Sequence, residues 1–279
     1  MLYRTKSIIT AFKEAGFHTL VIANQKLTTS MIRSYYREAD QFIDLSAIPT
    51  GSLLTSHHDG EIVPFLREQL VQTSGNLFVV LHTYGSHFNY RERYPETFRH
   101  YTPDKVEGIR PAYREQLRNA YDNSIAYTDQ VLSEVVELLR QQVACSAMLY
   151  LSDHGEDIFD DARDRYLHAS PIPTYYQLHI PYLIWFSESY RQVFPKKYAE
   201  AQAHAKTPIS TNTVFHTMLD IASVRTNMSD STKAVTNEAY QVCDRMYLGG
   251  HDEAIPFWEL DLKKQDFEML DRWGITYRK

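Results

Sequence analysis

Residues 76–82, Asn-Leu-Phe-Val-Val-Leu-His, form an almost unbroken apolar run. A strand apolar on both faces must be covered on both, which is the situation inside a parallel sheet flanked by helices. The neighbouring segments keep to that plan. Residues 7–15 set Ile8, Ile9, Phe12 and Ala15 on one helical stripe closed by Gly16. Residues 18–23 read as a short strand, 28–39 as a helix and 42–45 as another strand. Residues 61–72 read as a helix whose Pro64 falls in the first turn, where proline is tolerated. The longest helical pattern, 111–142, keeps Leu117, Ala120, Ile125, Val131, Val135 and Leu138 on one face. Buried strands come next at 146–151 and 181–186, and Ser210 suits the cap of a helix running to Ala222. This alternation predicts an α/β fold with a mainly parallel central sheet and helices on both faces. No boundary interrupts it, so residues 1–279 read as a single domain. Residues 225–242 are polar and carry no periodicity, 247–251 read as a turn towards a last short strand, and the tail from Glu259 is charged.

The formal charge of −6 excludes a general nucleic-acid binder, which needs a basic face. No run reaches the roughly 20 apolar residues of a membrane helix, and Met1 to Lys6 lacks the apolar core of a signal peptide. Cys145 opens an apolar run and reads as a buried thiol.

Chemistry concentrates where strands end. Leu149-Tyr150-Leu151-Ser152-Asp153-His154-Gly155-Glu156 takes an apolar strand straight into a carboxylate, an imidazole and a glycine. Ligands of open α/β sheets sit beyond the carboxyl ends of strands. Adjacent residues on a regular strand point to opposite faces, so Asp153 and His154 converge only if the backbone leaves the extended form, which Gly155 makes easy. Aspartate oxygen with histidine nitrogen is a normal partial shell for zinc; the alternative is a strand end that hydrogen-bonds its own turn. His87 comes after the 76–82 strand through His82-Thr83-Tyr84-Gly85-Ser86, and His168 lies in Tyr166-Leu167-His168. Each alone reads as a loop histidine; with Asp153 and His154 they read as one cluster at one rim of the sheet. His57-His58-Asp59 reads as a surface turn before the helix at Glu61. The acidic run Asp157, Asp160, Asp161, Asp164 lacks the spacing of a calcium loop and reads as a solvated insertion.

In order and content these motifs resemble the phosphoethanolamine transferases of the alkaline-phosphatase/sulfatase superfamily. The resemblance is carried by Leu81 to His87 with Arg93-Tyr94-Pro95, by Tyr121 to Asp129, by Leu151 to Glu156, by Tyr166-Leu167-His168 and by Phe215 to Leu219. It implies an alkaline-phosphatase-like fold and one catalytic Zn2+ bound by Asp153 and His154. It further implies that His87 and His168 hold the phosphoryl group, one of them helping to protonate the leaving alcohol, with substrate contacts from Asn24 and Glu156. The implied reaction moves phosphoethanolamine from a phospholipid donor (phosphatidylethanolamine) through a covalent threonine to lipid A/LPS or another glycan acceptor. The family places this catalytic domain in the periplasm, tied to the inner membrane by N-terminal helices.

The family's metal-binding glutamate and threonine nucleophile both precede the helix matched by residues 7–15. Neither has a counterpart in the six residues before that helix. The sequence therefore reads as an N-terminally truncated member lacking its first strand and membrane helices, and Thr5, Thr10 and Thr28 are not taken as nucleophiles. A sulfatase, a phosphoglycerol transferase and an inactive remnant are the competing readings.

Overall fold

The computed structural model describes residues 6–25, 30–50, 56–168, 173–249 and 253–277. The chain divides into two compact units. The first comprises Met1–Gly108, Glu115–Gln141 and Val224–Thr226; the second comprises Ile109–Arg114, Gln142–Ser223 and Asn227–Lys279.

The first unit is built on α1 (Ile8–Glu14), β1 (His18–Ala23), α2 (Ser30–Tyr36), β2 (Gln41–Asp44), α3 (Ile62–Gln72), β3 (Leu77–His82) and α4 (Arg114–Arg140). Ser7 caps α1 by accepting from the Thr10 amide at 3.1 Å. The three strands form a parallel sheet in the order β2-β1-β3. Its central strand is the best buried: Leu20, Val21, Ile22 and Ala23 all have 0% exposure, as a strand covered on both faces requires. Phe12 of α1 stacks on Phe78 of β3, with centroids 3.9 Å apart. The register pairs Ala23 with both Asp44 and His82, so all three strands end at one edge. The loops leaving the strands open there, at the carboxyl edge where such sheets bind ligands.

Helix α4 buries Leu117, Ala120, Val131, Val135 and Leu138 along one face. On that face sits Asn123, fully buried. Its oxygen accepts from the amides of His100 and Tyr101, and its nitrogen donates to the Tyr101 carbonyl, tying the loop before the helix to the helix itself.

Residues 57–59 are not the surface turn their composition suggests, because His57 and Asp59 are buried. His57 Nδ1 lies 2.7 Å from Glu61 Oε2 and Nε2 lies 2.9 Å from the Ile48 carbonyl. Both partners only accept, which favours the doubly protonated ring. Burial alone would lower its pKa; the bonds to Ile48 and Glu61 outweigh burial and raise it.

The second unit contains β4 (Ala147–Leu151), β5 (Asp157–Ile158), β6 (Tyr166–Leu167), α5 (Tyr175–Leu178), β7 (Tyr182–Phe186), α6 (Glu188–Val193), α7 (Pro195–Ala203), α8 (Val214–Ile221), β8 (Met246–Leu248), β9 (Ala254–Pro256) and α9 (Lys264–Arg272). Here the parallel expectation gives way: β7 pairs antiparallel with β4. Among the described residues the link between them holds a hairpin and a one-turn helix and no crossover helix, and only a crossover would enforce parallel pairing. Two apolar clusters complete the unit, one around Phe186, Tyr190 and Ile221, the other around Tyr175, Leu262 and Leu270.

Two further expectations are corrected, and the charged tail is found to hold helix α9, which buries Leu270 and Asp266. Cys145 is exposed, since it lies in the connection before β4 begins. Asp157 is buried among Thr174, Gln177 and Arg165 rather than solvated. The turn read at 247–251 lies partly outside the described residues, with Tyr247 to Gly249 at the end of β8.

Candidate active site

Strand β4 delivers Ser152, Asp153, His154, Gly155 and Glu156 at its carboxyl end. The bend that lets them gather rests on Gly155, although not through the backbone freedom the sequence suggests. Gly155 N–H donates to the Gln177 carbonyl at 2.8 Å, and a Cβ there would stand 2.0 Å from the Tyr176 carbonyl oxygen. Close approach of two backbones excludes any side chain.

Just beyond lies the β5–β6 hairpin, whose register pairs Asp157 with Leu167. The next pair outward is Glu156 with His168. That register places His168 Nδ1 3.0 Å from Glu156 Oε1, with the Glu156 side chain 4% exposed. The carboxylate accepts the Nδ1 proton, which leaves Nε2 as the lone-pair nitrogen of the neutral ring. His154 stacks on His168 with centroids 3.7 Å apart and planes 27° from parallel.

His154 is oriented in the same manner. Its Nδ1 donates to the Gly155 carbonyl at 3.0 Å, and its Nε2 lies 3.7 Å from Asp153 Oδ2. The Asp153 side chain is 88% exposed. A zinc–nitrogen and a zinc–oxygen bond together span about 4 Å, so one ion can bond both atoms without moving the backbone. An Nδ1–H held by a backbone carbonyl is the usual support of a metal-binding histidine. Among the described residues, ligand atoms of His154, Glu156 and His168 also lie within 4.8 Å of one another. The donor set fits a zinc ion.

The hairpin is strained. Phe159, Asp164 and Leu167, none of them glycine, have φ of 53°, 47° and 65°, each a conformation L-residues adopt at a cost. It is locked by Arg163, whose fork donates to Asp266 Oδ2 at 2.8 Å and Oδ1 at 2.9 Å while also pairing with Asp161. Nothing in the sequence pattern links residue 163 to residue 266; an arginine inside an acidic run is the one visible signal.

His87 and Asn24 belong to the first unit, at the edge where β3 and β1 end. His87 Nδ1 donates to the Phe88 carbonyl at 2.6 Å, and the Tyr84 ring meets the imidazole edge-on at 5.4 Å. Asn24, read from the sequence as a substrate contact, is fully buried, its amide donating to the His57 carbonyl and to Asp59. It has no surface to offer a substrate. Of the three threonines near the start of the chain, Thr10 donates to Glu38 at 2.6 Å from within α1; Thr5 and Thr28 lie outside the described residues.

A family model described as Sulfatase matches residues 3–224. The phosphoethanolamine transferase EptA of Salmonella typhimurium is 34% identical over 188 residues, covering 65% of this chain but 33% of that protein. The C-terminal periplasmic domain of EcEptC from Escherichia coli, in complex with Zn, shares the fold with a TM-score of 0.80. Its identity is 24%, and the match covers 95% of this chain and 75% of that one. The integral membrane protein lipooligosaccharide phosphoethanolamine transferase A from Neisseria meningitidis matches with a TM-score of 0.75 and 25% identity, covering 82% of this chain and 43% of that one.

Proposed function

The chain belongs to the sulfatase family, whose model spans most of its length, and from that premise we propose that it is catalytic-domain sequence of a zinc-dependent phosphoethanolamine transferase. The observation that carries this reading is the set His154, Glu156 and His168, three chemistry-bearing side chains converging at the end of β4. Support comes from the transferases it resembles, one of which has been solved with Zn.

In this reading Asp153 and His154 bind the metal, and Glu156 orients His168. His168 serves the phosphoryl group, His87 is the phosphoryl-site histidine of the first unit, and Asn24 serves there as a buried strut. Bound zinc would supply Lewis-acid stabilisation of the charge at the transferring phosphorus. The donor is phosphatidylethanolamine and the nucleophile a threonine. The threonine enters as its alkoxide, the form bound zinc would favour; as its oxygen bonds to phosphorus, the bond to the diacylglycerol oxygen breaks and the departing alkoxide takes a proton from the His168 imidazolium. The neutral imidazole then accepts the proton of the acceptor hydroxyl or phosphate as the phosphoryl group leaves the threonine. The Glu156 carboxylate stabilises the cationic ring in the first half and fixes its tautomer in the second. Among the relatives, one is named as a Kdo(2)-lipid A transferase and another as an integral membrane lipooligosaccharide transferase, and the solved Zn complex is of a periplasmic domain; a lipid A or lipooligosaccharide acceptor at a membrane surface is the reading taken for this chain. No helix among the described residues is long and apolar enough to cross a membrane.

Mass spectrometry of lipid A from bacteria expressing the gene that encodes this chain tests the reading. A phosphoethanolamine adduct that disappears in an Asp153→Ala variant is expected. Unmodified lipid A, with no label passing from phosphatidylethanolamine to any glycan in membranes, contradicts it.

A further inference from the structure

The loop that carries His87 is fastened by a carboxylate the reaction does not use. Asp59 is buried at the start of the turn leading into α3. Its Oδ1 accepts from Asn24 Nδ2 at 2.7 Å and from the Tyr84 amide at 2.8 Å, and its Oδ2 accepts from the Gly85 amide at 2.8 Å. Three segments meet on one side chain: the end of β1, the entrance to α3 and the loop leaving β3. Burial raises the Asp59 pKa, and the donors on Asn24, Tyr84 and Gly85 pull against that rise.

Two consecutive backbone amides aimed at one anion form a small cradle, and an internal carboxylate fills this one. Filling it fixes the path of the chain just ahead of His87. Gly85 has φ of 59°, the left-handed conformation that turns its amide towards Asp59 beside that of Tyr84. The Tyr84 ring, fixed through its own backbone, contacts both the His87 ring and the Arg93 guanidinium, which stands 4.0 Å from its centroid. Arg93 is itself buried and donates to Ser56 Oγ at 2.7 Å and the Asn89 carbonyl at 3.2 Å. The chain of contacts runs from Asp59 to the Tyr84 backbone, to the Tyr84 ring and on to the imidazole. At its end the His87 Nδ1–H faces Phe88 O, so Nε2 is the nitrogen the neutral ring presents as acceptor.

We propose that Asp59 is a positioning residue for His87, holding the Tyr84–Gly85 backbone so that the imidazole keeps its Nδ1–H tautomer and its orientation. The proposal rests on the reading of His87 as a phosphoryl-site histidine for its functional meaning, though not for its geometry. Asp59→Asn keeps the size of the side chain but turns an amide NH2 towards at least one N–H donor, so the cradle loses an acceptor.

The test is NMR of the 15N-labelled histidine rings of this chain, with His87→Gln assigning the His87 signals. In the wild type His87 should show the Nδ1–H tautomer. In Asp59→Asn its ring signals should move towards those of an averaging tautomer pair. Gly85→Ala strains the same loop at a position where a Cβ meets nothing within 4 Å; it should move them in the same direction by less. Asp104→Asn removes another buried carboxylate of this unit, one bonded to Tyr94 and Arg99, and should leave them in place. His87 signals that superimpose on the wild type in both Asp59→Asn and Gly85→Ala overturn the proposal. If Asp59→Asn does not fold, Gly85→Ala decides by the same criterion. Failure of the functional reading shows separately, as full lipid A modification by His87→Gln.

Discussion

Under the proposed function, replacing His168 with alanine should lower phosphoethanolamine transfer by roughly 10²–10⁴-fold, the usual worth of a positioned general acid–base group. The ring is 32% exposed at the side chain, so little packing is lost and the variant should stay folded. Glu156→Gln keeps the shape of its partner but removes the charge that steadies the imidazolium, and should cost about 10–100-fold, as removal of a supporting carboxylate does. The two variants together separate orientation from ligation. If Glu156 orients His168, Glu156→Gln retains zinc; if Glu156 bonds the ion, the variant loses it. Transfer rates with zinc content measured on the same preparations decide between these outcomes.

Asp266→Ala should be the most destabilising single change in the second unit, costing roughly 3–5 kcal/mol. Asp266 has 0% exposure and receives four donors: both Arg163 fork nitrogens, the Tyr175 amide at 2.9 Å and the Lys263 amide at 2.9 Å. Removing it leaves the Arg163 guanidinium, the buried Tyr175 amide and the half-buried Lys263 amide short of an acceptor. It also frees the strained 159–167 turn, and with it the residue that hands on to His168, so activity should fall further than stability alone explains. Urea denaturation followed by circular dichroism measures the loss. Burial alone would raise the Asp266 pKa; Arg163 and the Tyr175 and Lys263 amides outweigh it and hold the pKa below the ordinary carboxylate range. This contribution is therefore complete above the unfolded pKa of about 3.9 and fades as pH falls through the folded value. The gap between wild type and Asp266→Ala should narrow in acid and stay constant from about pH 6 to 8.

Local pattern made much of the first unit readable. Strand β1 appears with the bounds its β-branched run predicts, and α3 starts one residue after the predicted Glu61 and ends at the predicted Gln72. The Asp153-His154-Gly155-Glu156 cluster stands out because an apolar strand runs straight into it. The features that escaped depend on pairings between residues distant in sequence. Asp59 looks like a turn residue until Asn24, Tyr84 and Gly85 are seen around it. Helix α9 looks like a charged tail because only Leu270 and Asp266 are buried on it, and the burial of Asp266 makes sense only with Arg163 opposite. Gly155 was legible as necessary but not for the right reason, since the backbone it makes room for, at Tyr176, lies well beyond it along the chain. The antiparallel β4–β7 pairing escaped for a related cause: the length of the connection was visible, but not that its described residues hold no crossover helix.

Anomalous diffraction at the zinc edge, on crystals of this chain grown with zinc, probes the metal assignment most directly. A peak is expected within bonding distance of His154 Nε2, about 2.0–2.1 Å, shared with the Asp153 carboxylate. Zinc bound elsewhere, with His154 and Asp153 left without a peak, would contradict it.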